Sequence, residues 1–410
     1  MSGGTHTASF VLAGRVGAYV TDPVRLVKAL RGNPLTNGDE DQPTRRNFLC
    51  VGGDKGGDFT KLGVIYFNST NKAHFQALVV YQGDDKFETM KLLHEGVLTF
   101  QGDSLASPHI FTILQALLDE GAFLTGDWPF LAACLALKGA ASNYPCPICL
   151  VPKQHLGKLS TPRDPWSQSA VQHAGTIAGA NLLSVRADYI VPTPLHVFLG
   201  IGDRIIDKVL VPTFTKETIA AAIAAVKSKH APGFGGLSDI YGLNGAELTR
   251  FIKTEVITKL ISSTPSLSNE QRARLKTLHL YLRCLERFIL KSAYWHPEEV
   301  FIFDELCTNI VQHWAGVTED HLFPKLHMLL HCAQFASRWH FLGKVSEAPI
   351  EATHPEMNRL YNFNHCNKAN DPATRIQRSL SDHVYRSATR TALGDITNLV
   401  ALPPARRHSA

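Results

Sequence analysis

The chain has 410 residues, 44% of them hydrophobic and 19% charged, with a formal net charge of +5. That length allows two or three domains with cores of their own, and the composition excludes the disordered and fibrous classes. No apolar run approaches the roughly 20 residues of a membrane-spanning helix, and the start, MSGGTHTASFVLAG, lacks the basic n-region of a signal peptide.

Residues 1–46 read as an N-terminal segment and linker: DPVRLVKALRG predicts a short helix capped by Asp22, and GNPLTNGDEDQPTRR is rich in turn formers. Three β-like segments follow, NFLCVGG (47–53), KLGVIYFN (61–68) and HFQALVVYQG (74–83). The Gly-, Asp- and Asn-rich turns between them predict consecutive antiparallel strands. DDKFETMKLLHEG and HIFTILQALLDEG have helical spacing, AFLTGD (122–127) reads as a buried strand, and WPFLAACLALKG as a helix ended by Gly139.

Beyond residue 150 the pattern turns helical. KETIAAAIAAVKSKH, GAELTRFIKTEVITKLI, NEQRARLKTLHLYLRCLERFILKSA and PEEVFIFDELCTNIVQHW all fit amphipathic helices. A last helix is expected from Glu347 to about Phe363. The expected class is α/β: an RNase H-like mixed sheet core interrupted by a large, mainly α-helical insertion clipped by a zinc site. Its first part spans 47–150 and the insertion 151–320. The zinc histidines and the final catalytic helix fall in 321–370, and a basic C-terminal tail in 371–410.

Asp54 follows the first expected strand and Asp127 ends the fourth. In an RNase H-like sheet these strands are neighbours, and a helix after the insertion would bring Glu351 over both. Three converging carboxylates suit two Mg²⁺ or Mn²⁺ ions beside a phosphodiester. Each acid alone is an ordinary turn or helix residue. Asp103 rivals Asp127, and Glu347 and Glu356 rival Glu351. The glycines of VGGDKGG would let a phosphate backbone come close or serve a turn.

The eight cysteines carry no secretory context, so an intracellular, reduced chain is expected. Cys146 and Cys149 in CPIC have the spacing that lets two thiolates share one structural Zn²⁺. His327 and His331 in HMLLH, four apart on one helical face, are the completing pair, with Cys332 and His340 as alternates. Such a site would clip the helical insertion onto the core.

Taken in order, Asp54, Asp127, CPIC, HMLLH and Glu351 resemble the catalytic core of the recombination-activating recombinase of vertebrate immunity and the Transib-type transposases. SEAPIEATHPEMNRLYNF resembles that family's Ser-Glu-x-x-x-Glu helix, which favours Glu351, and the place of CPIC favours Asp127. PTPLHVFLGIGDRI is similar to the turn that opens its insertion, and GGDKGG followed by TKL resembles transposon-derived proteins of invertebrates. The spacing of the histidines, four rather than five, departs from the family and leaves the third zinc ligand open. Only 46 residues precede the expected core, which implies a fragment or a domesticated remnant.

The resemblance implies metal-dependent DNA cleavage followed by strand transfer, in the nucleus, by a homodimer on DNA ends. Lys55, Lys61, Arg375, Arg378, Arg386 and Arg390 are the candidate phosphate contacts. A catalytically silent DNA- or protein-binding descendant is the alternative, and a metal-dependent nuclease unable to join ends is a third reading.

Overall fold

The computed structural model describes residues 7–12, 15–31, 49–67, 72–96, 98–100, 103–105, 110–159, 181–226, 243, 245–253, 255–318, 323–366 and 371–390. The fold is mixed α/β and mostly helical. Its strands are β1 (Thr7–Leu12), β2 (Arg15–Val20), β3 (Cys50–Gly56), β4 (Phe59–Phe67), β5 (Ala73–Gln82), β6 (Leu98–Phe100), β7 (Asp103–Leu105) and β8 (Phe123–Gly126). They form one mixed sheet in the order β7-β6-β1-β2-β5-β4-β3-β8.

The helices before the long helical region are α1 (Pro23–Arg31), α2 (Phe87–His94), α3 (Ile110–Asp119) and α4 (Trp128–Cys134). That region holds α5 (Pro194–Ile205), α6 (Val211–Phe214), α7 (Lys216–Val226), α8 (Gly245–Lys253), α9 (Val256–Ser263), α10 (Asn269–Ile289), α11 (Pro297–Val317) and α12 (Pro324–Trp339). The chain closes with α13 (Ala348–Glu351), α14 (His354–Cys366) and α15 (Pro372–Arg390). Among the described residues no helix is long and apolar enough to cross a membrane.

β3, β4 and β5 pair antiparallel in sequence order, and β8 lies parallel to β3, with Gly53 opposite Gly126. β4 and β5 are buried along nearly their whole length, as strands covered on both faces are. A side chain at Gly53 would collide with the Phe130 ring and with the Lys61 carbonyl. Only glycine therefore lets α4 close over the β3–β8 edge.

Two contact-defined units divide the chain. The first comprises 1–139, 176–190 and 347–410, and the second 140–175 and 191–346. This division differs from the expected one in three places. Residues expected as a bare N-terminal segment form β1 and β2, and β2 pairs with β5. Each strand has only six residues, and the partner lies some 60 positions downstream, so no local pattern announces it. The helix capped by Asp22 does form, with Arg25 N donating to Asp22 Oδ1 at 3.0 Å.

The second difference concerns the expected tail. Its residues 372–390 are α15, which packs on β1, β2 and β5, while 391–410 lie outside the described residues. In the third, both zinc histidines belong to the second unit with CPIC, and the first unit resumes at Glu347.

In the second unit α10 opens on a capping box between Ser268 and Gln271. Trp295 packs edge-on to Phe303 at 4.9 Å between ring centroids, joining the loop after α10 to α11.

Candidate metal centres

The first centre lies in the second unit. α12 presents His327 and His331 one turn apart, and CPIC brings two thiolates beneath them. The four ligand atoms lie within 4.8 Å of one another, and all four residues are buried. Cys149 Sγ is 3.2 Å from Nε2 of each histidine, and the two Nε2 atoms are 3.1 Å apart. Adjacent ligands of a tetrahedral zinc stand about 3.3 to 3.8 Å apart, so Cys149 and the two histidines could close on Zn²⁺ by shifts of a few tenths of an ångström, with Cys146 within 4.8 Å.

The surroundings point both imidazoles the same way. His327 Nδ1 donates to the Leu156 carbonyl at 3.1 Å, and His331 Nδ1 to Gln334 Oε1 at 2.7 Å. Each contact leaves an Nε2 lone pair facing the thiolates, the outer-shell arrangement of a metal-bound histidine. A hydrogen bond from Cys146, then those from the two histidines, pull the Cys149 thiol far below its ordinary value, while burial pushes Cys146 up. One thiolate thus forms readily, and a dication would supply what the second needs.

Of the alternates, Cys332 Sγ contacts the Pro192 carbonyl at 3.5 Å, and His340 ends α12 in the left-handed region at φ 58°. Neither joins the cluster. Since every ligand belongs to the second unit, the centre would hold that unit together rather than clip it to the sheet.

The second centre is acidic and lies in the first unit. Asp54, in β3, is only 2% exposed. Asp127 follows β8 as the N-cap of α4, accepting from Phe130 N at 2.8 Å. Glu351 ends α13, which packs on β3 and β5. Asp54 gathers two clusters whose ligand atoms lie within 4.8 Å: one with Glu351 and His354, the other with Asp85 and Asp127.

The rivals fall away on position. Asp103 starts β7 at the opposite edge of the sheet, Glu347 is fully buried at the start of α13 outside both clusters, and Glu356 lies 3.7 Å from His383.

Two members were not anticipated. Asp85 follows β5 and is 6% exposed, and its Oδ2 is buried without a hydrogen-bond partner. Burial, then the charge of Asp54, pushes its carboxyl up to about 6. His354 Nε2 stands 3.0 Å from both Asp54 Oδ2 and Glu351 Oε2. Burial lowers the imidazole's proton affinity, but the hydrogen bonds to Asp54 and Glu351 outweigh it and raise the pKa. Burial likewise raises Asp54. A place just past the end of β5 was the one signal for Asp85; His354, three residues past Glu351, gave none beyond its spacing.

The basic candidates need correction. Lys61 is fully buried, its Nζ hydrogen-bonded to His354 Nδ1, and burial lowers it to about 8 despite Asp54 and Glu351. It cannot contact DNA from there; register places it opposite Asp54 in the β3–β4 ladder. Arg375 lies over the Tyr361 ring at 5.2 Å. Lys55 is exposed and paired with Asp84 at 2.6 Å; Arg378 is exposed, Arg386 half-buried, and the Arg390 side chain lies outside the described residues. The glycines of GGDKGG are also spoken for: a side chain at Gly56 would fall on the His354 imidazole. They make room for protein atoms rather than for a phosphate backbone.

No protein-family model matches the chain, and no curated protein is similar to it.

Proposed function

We propose that the chain is the core of a DDE-type transposase or recombinase, with divalent cations held by Asp54, Asp127 and Glu351. The observation that carries this reading is that Asp54 clusters with both other acids, although the whole helical unit separates Asp127 from Glu351 in the chain. The sheet supports an RNase H-like core: β3, β4 and β5 run antiparallel in order, and β8 returns parallel beside β3. The second unit is then the insertion, folded around a structural Zn²⁺ on Cys146, Cys149, His327 and His331.

The donors fit the cations. Carboxylate oxygens are the hard ligands that Mg²⁺ and Mn²⁺ take, and the orphaned Asp85 Oδ2 is a buried acceptor awaiting a positive partner. Bound there, two such ions would acidify an attacking hydroxyl and neutralise the leaving oxygen of a phosphodiester. Asp54 would bridge the two positions, with Glu351 on one side and Asp127 with Asp85 on the other. Asp54 and Asp85 are buried and Asp127 and Glu351 half-buried, so the pocket stays open on one side to substrate and water. Lys55 is the exposed cation nearest in sequence for a DNA phosphate. Nuclear localisation and pairing of two copies on DNA ends accompany this reading.

Purified protein is tested with supercoiled DNA in Mn²⁺ or Mg²⁺, scoring nicks and strand-transfer products. Both products should form and vanish in Asp54→Asn and Asp127→Asn. Activity that survives Asp127→Asn sinks the assignment, and nicks without joined products assign a nuclease instead.

One observation favours a silent descendant: His354, backed by Lys61, already engages the carboxylate oxygens of Asp54 and Glu351. DNA binding at full zinc content without cleavage in either metal would select that second reading.

A further inference from the structure

We infer that His354 is a nitrogen ligand of the cation held by Asp54 and Glu351, so that this position prefers a first-row transition ion to Mg²⁺. The inference rests on the reading of the acidic pocket given above and deepens it by choosing the metal.

The spacing argues for it. Adjacent ligands of an octahedral ion with bonds of about 2.1 Å stand about 3.0 Å apart. Nε2 of His354 lies 3.0 Å from Asp54 Oδ2 and 3.0 Å from Glu351 Oε2. Two edges of an octahedral face are therefore already at its spacing, and the third pair of donors lies within 4.8 Å; the face would leave three positions for water or phosphate oxygens.

The ring is also built into place. His354 is the first residue of α14, and the missing side chain of Gly56 makes its room. Lys61 holds Nδ1, which leaves Nε2 for the carboxylates. With Nε2 on a cation, Nδ1–H would donate to Lys61, whose amine accepts that hydrogen bond. An independent sign of a missing cation stands beside this face: Asp85, 6% exposed, keeps Oδ2 unpartnered in the cluster that shares Asp54.

Donor chemistry sets the preference. An all-oxygen site suits Mg²⁺, whereas an imidazole adds far more to a transition ion than to Mg²⁺. The position would therefore retain Mn²⁺ against a large excess of Mg²⁺.

The test uses the full, zinc-loaded chain and Mn²⁺ as the probe. Loss of the free-ion electron paramagnetic resonance signal counts bound Mn²⁺, and pulsed measurements read nitrogen directly bonded to it. Expected are a nitrogen coupling that changes on ¹⁵N-histidine labelling and its loss in His354→Gln. Mn²⁺ affinity in that variant should fall by at least the roughly tenfold that even outer-shell partners command, and Mg²⁺ affinity should fall less. Mn²⁺ that binds, is displaced by Asp54→Asn and shows no nitrogen coupling overturns the histidine ligand and leaves the acidic pocket standing. A coupling that persists in His354→Gln overturns it equally. No bound Mn²⁺, or binding indifferent to Asp54→Asn, overturns the pocket and the inference together. Should His354→Gln fail to fold, the labelling comparison in the unaltered protein decides alone.

Discussion

Asp54 and Lys61 face one another across the β3–β4 ladder, both almost wholly buried, so the first acid of the pocket is born with a cation opposite it. Removing one partner of a buried ionic group costs about 3–5 kcal/mol, because the remaining charges lose their compensation. Lys61→Met should therefore lower the unfolding free energy of the metal-free protein by an amount in that range, read as a lower urea midpoint at unchanged m. The same substitution should weaken Mn²⁺ binding about tenfold, since it removes the partner that orients the His354 ring. A lysine that touched only DNA would change neither quantity, and would instead flatten the salt dependence of DNA binding.

The Asp85 carboxyl gives a pH signature. Its pKa rises from 3.8 unfolded to about 6 folded, so the folded protein binds more protons between those values. Its contribution to stability is present below about pH 4 and is lost as pH rises through 6, at most about 3 kcal/mol. Lys61, lowered from 10.5 to about 8, acts in the other direction, but only between pH 8 and 10.5. Zinc-loaded protein without other metals should thus unfold at lower temperature at pH 7.5 than at pH 5.5. Asp85→Asn should flatten that difference, and Mn²⁺ should raise stability at pH 7.5 more in the parent than in the variant. Calorimetric scans at the two pH values check all three.

Legibility followed locality. Asp54 and Asp127 could be read because each follows an apolar run that enters a strand, Asp54 within β3 and Asp127 just after β8, and the pairing of β3 with β8 then brings them together. The Cys₂His₂ cluster could be read because CPIC and HMLLH each carry half a possible coordination sphere in four or five residues. Lys61 was misread, since its burial depends on cross-strand register, which no stretch of β4 contains. Asp85 stayed hidden behind Asp84, for an acidic pair before α2 reads as an ordinary helix start. β1, β2 and α15 were missed for the same reason: their burial comes from partners hundreds of positions away or from the far side of the sheet.

Zinc should be held at one equivalent per chain. Cys146→Ser removes one of four ligands, and the other three are buried donors that then face each other without a cation. Elemental analysis should find the metal lost, and the second unit should unfold separately from the first, giving two thermal transitions where the parent gives one. A variant that keeps its zinc, or unfolds as the parent does, removes the structural role.

Asp127 allows chemistry to be separated from folding. Its carboxylate caps α4 through Phe130 N and also belongs to the cluster around Asp54. Asparagine caps a helix as well as aspartate does, but it brings no negative charge to a cation. Asp127→Asn should therefore leave the melting temperature of the metal-free protein within about 2 °C, since caps of equal quality differ by a few tenths of a kcal/mol. Mn²⁺ binding should weaken, and DNA cleavage should fall at least about a hundredfold, the loss expected when a transition-state charge is left unstabilised. Asp127→Ala removes both roles and should add about 1 kcal/mol of destabilisation to the same catalytic loss. If asparagine and alanine prove equally unstable, the cap is not what holds α4. If asparagine cleaves DNA as the parent does, Asp127 serves the helix alone.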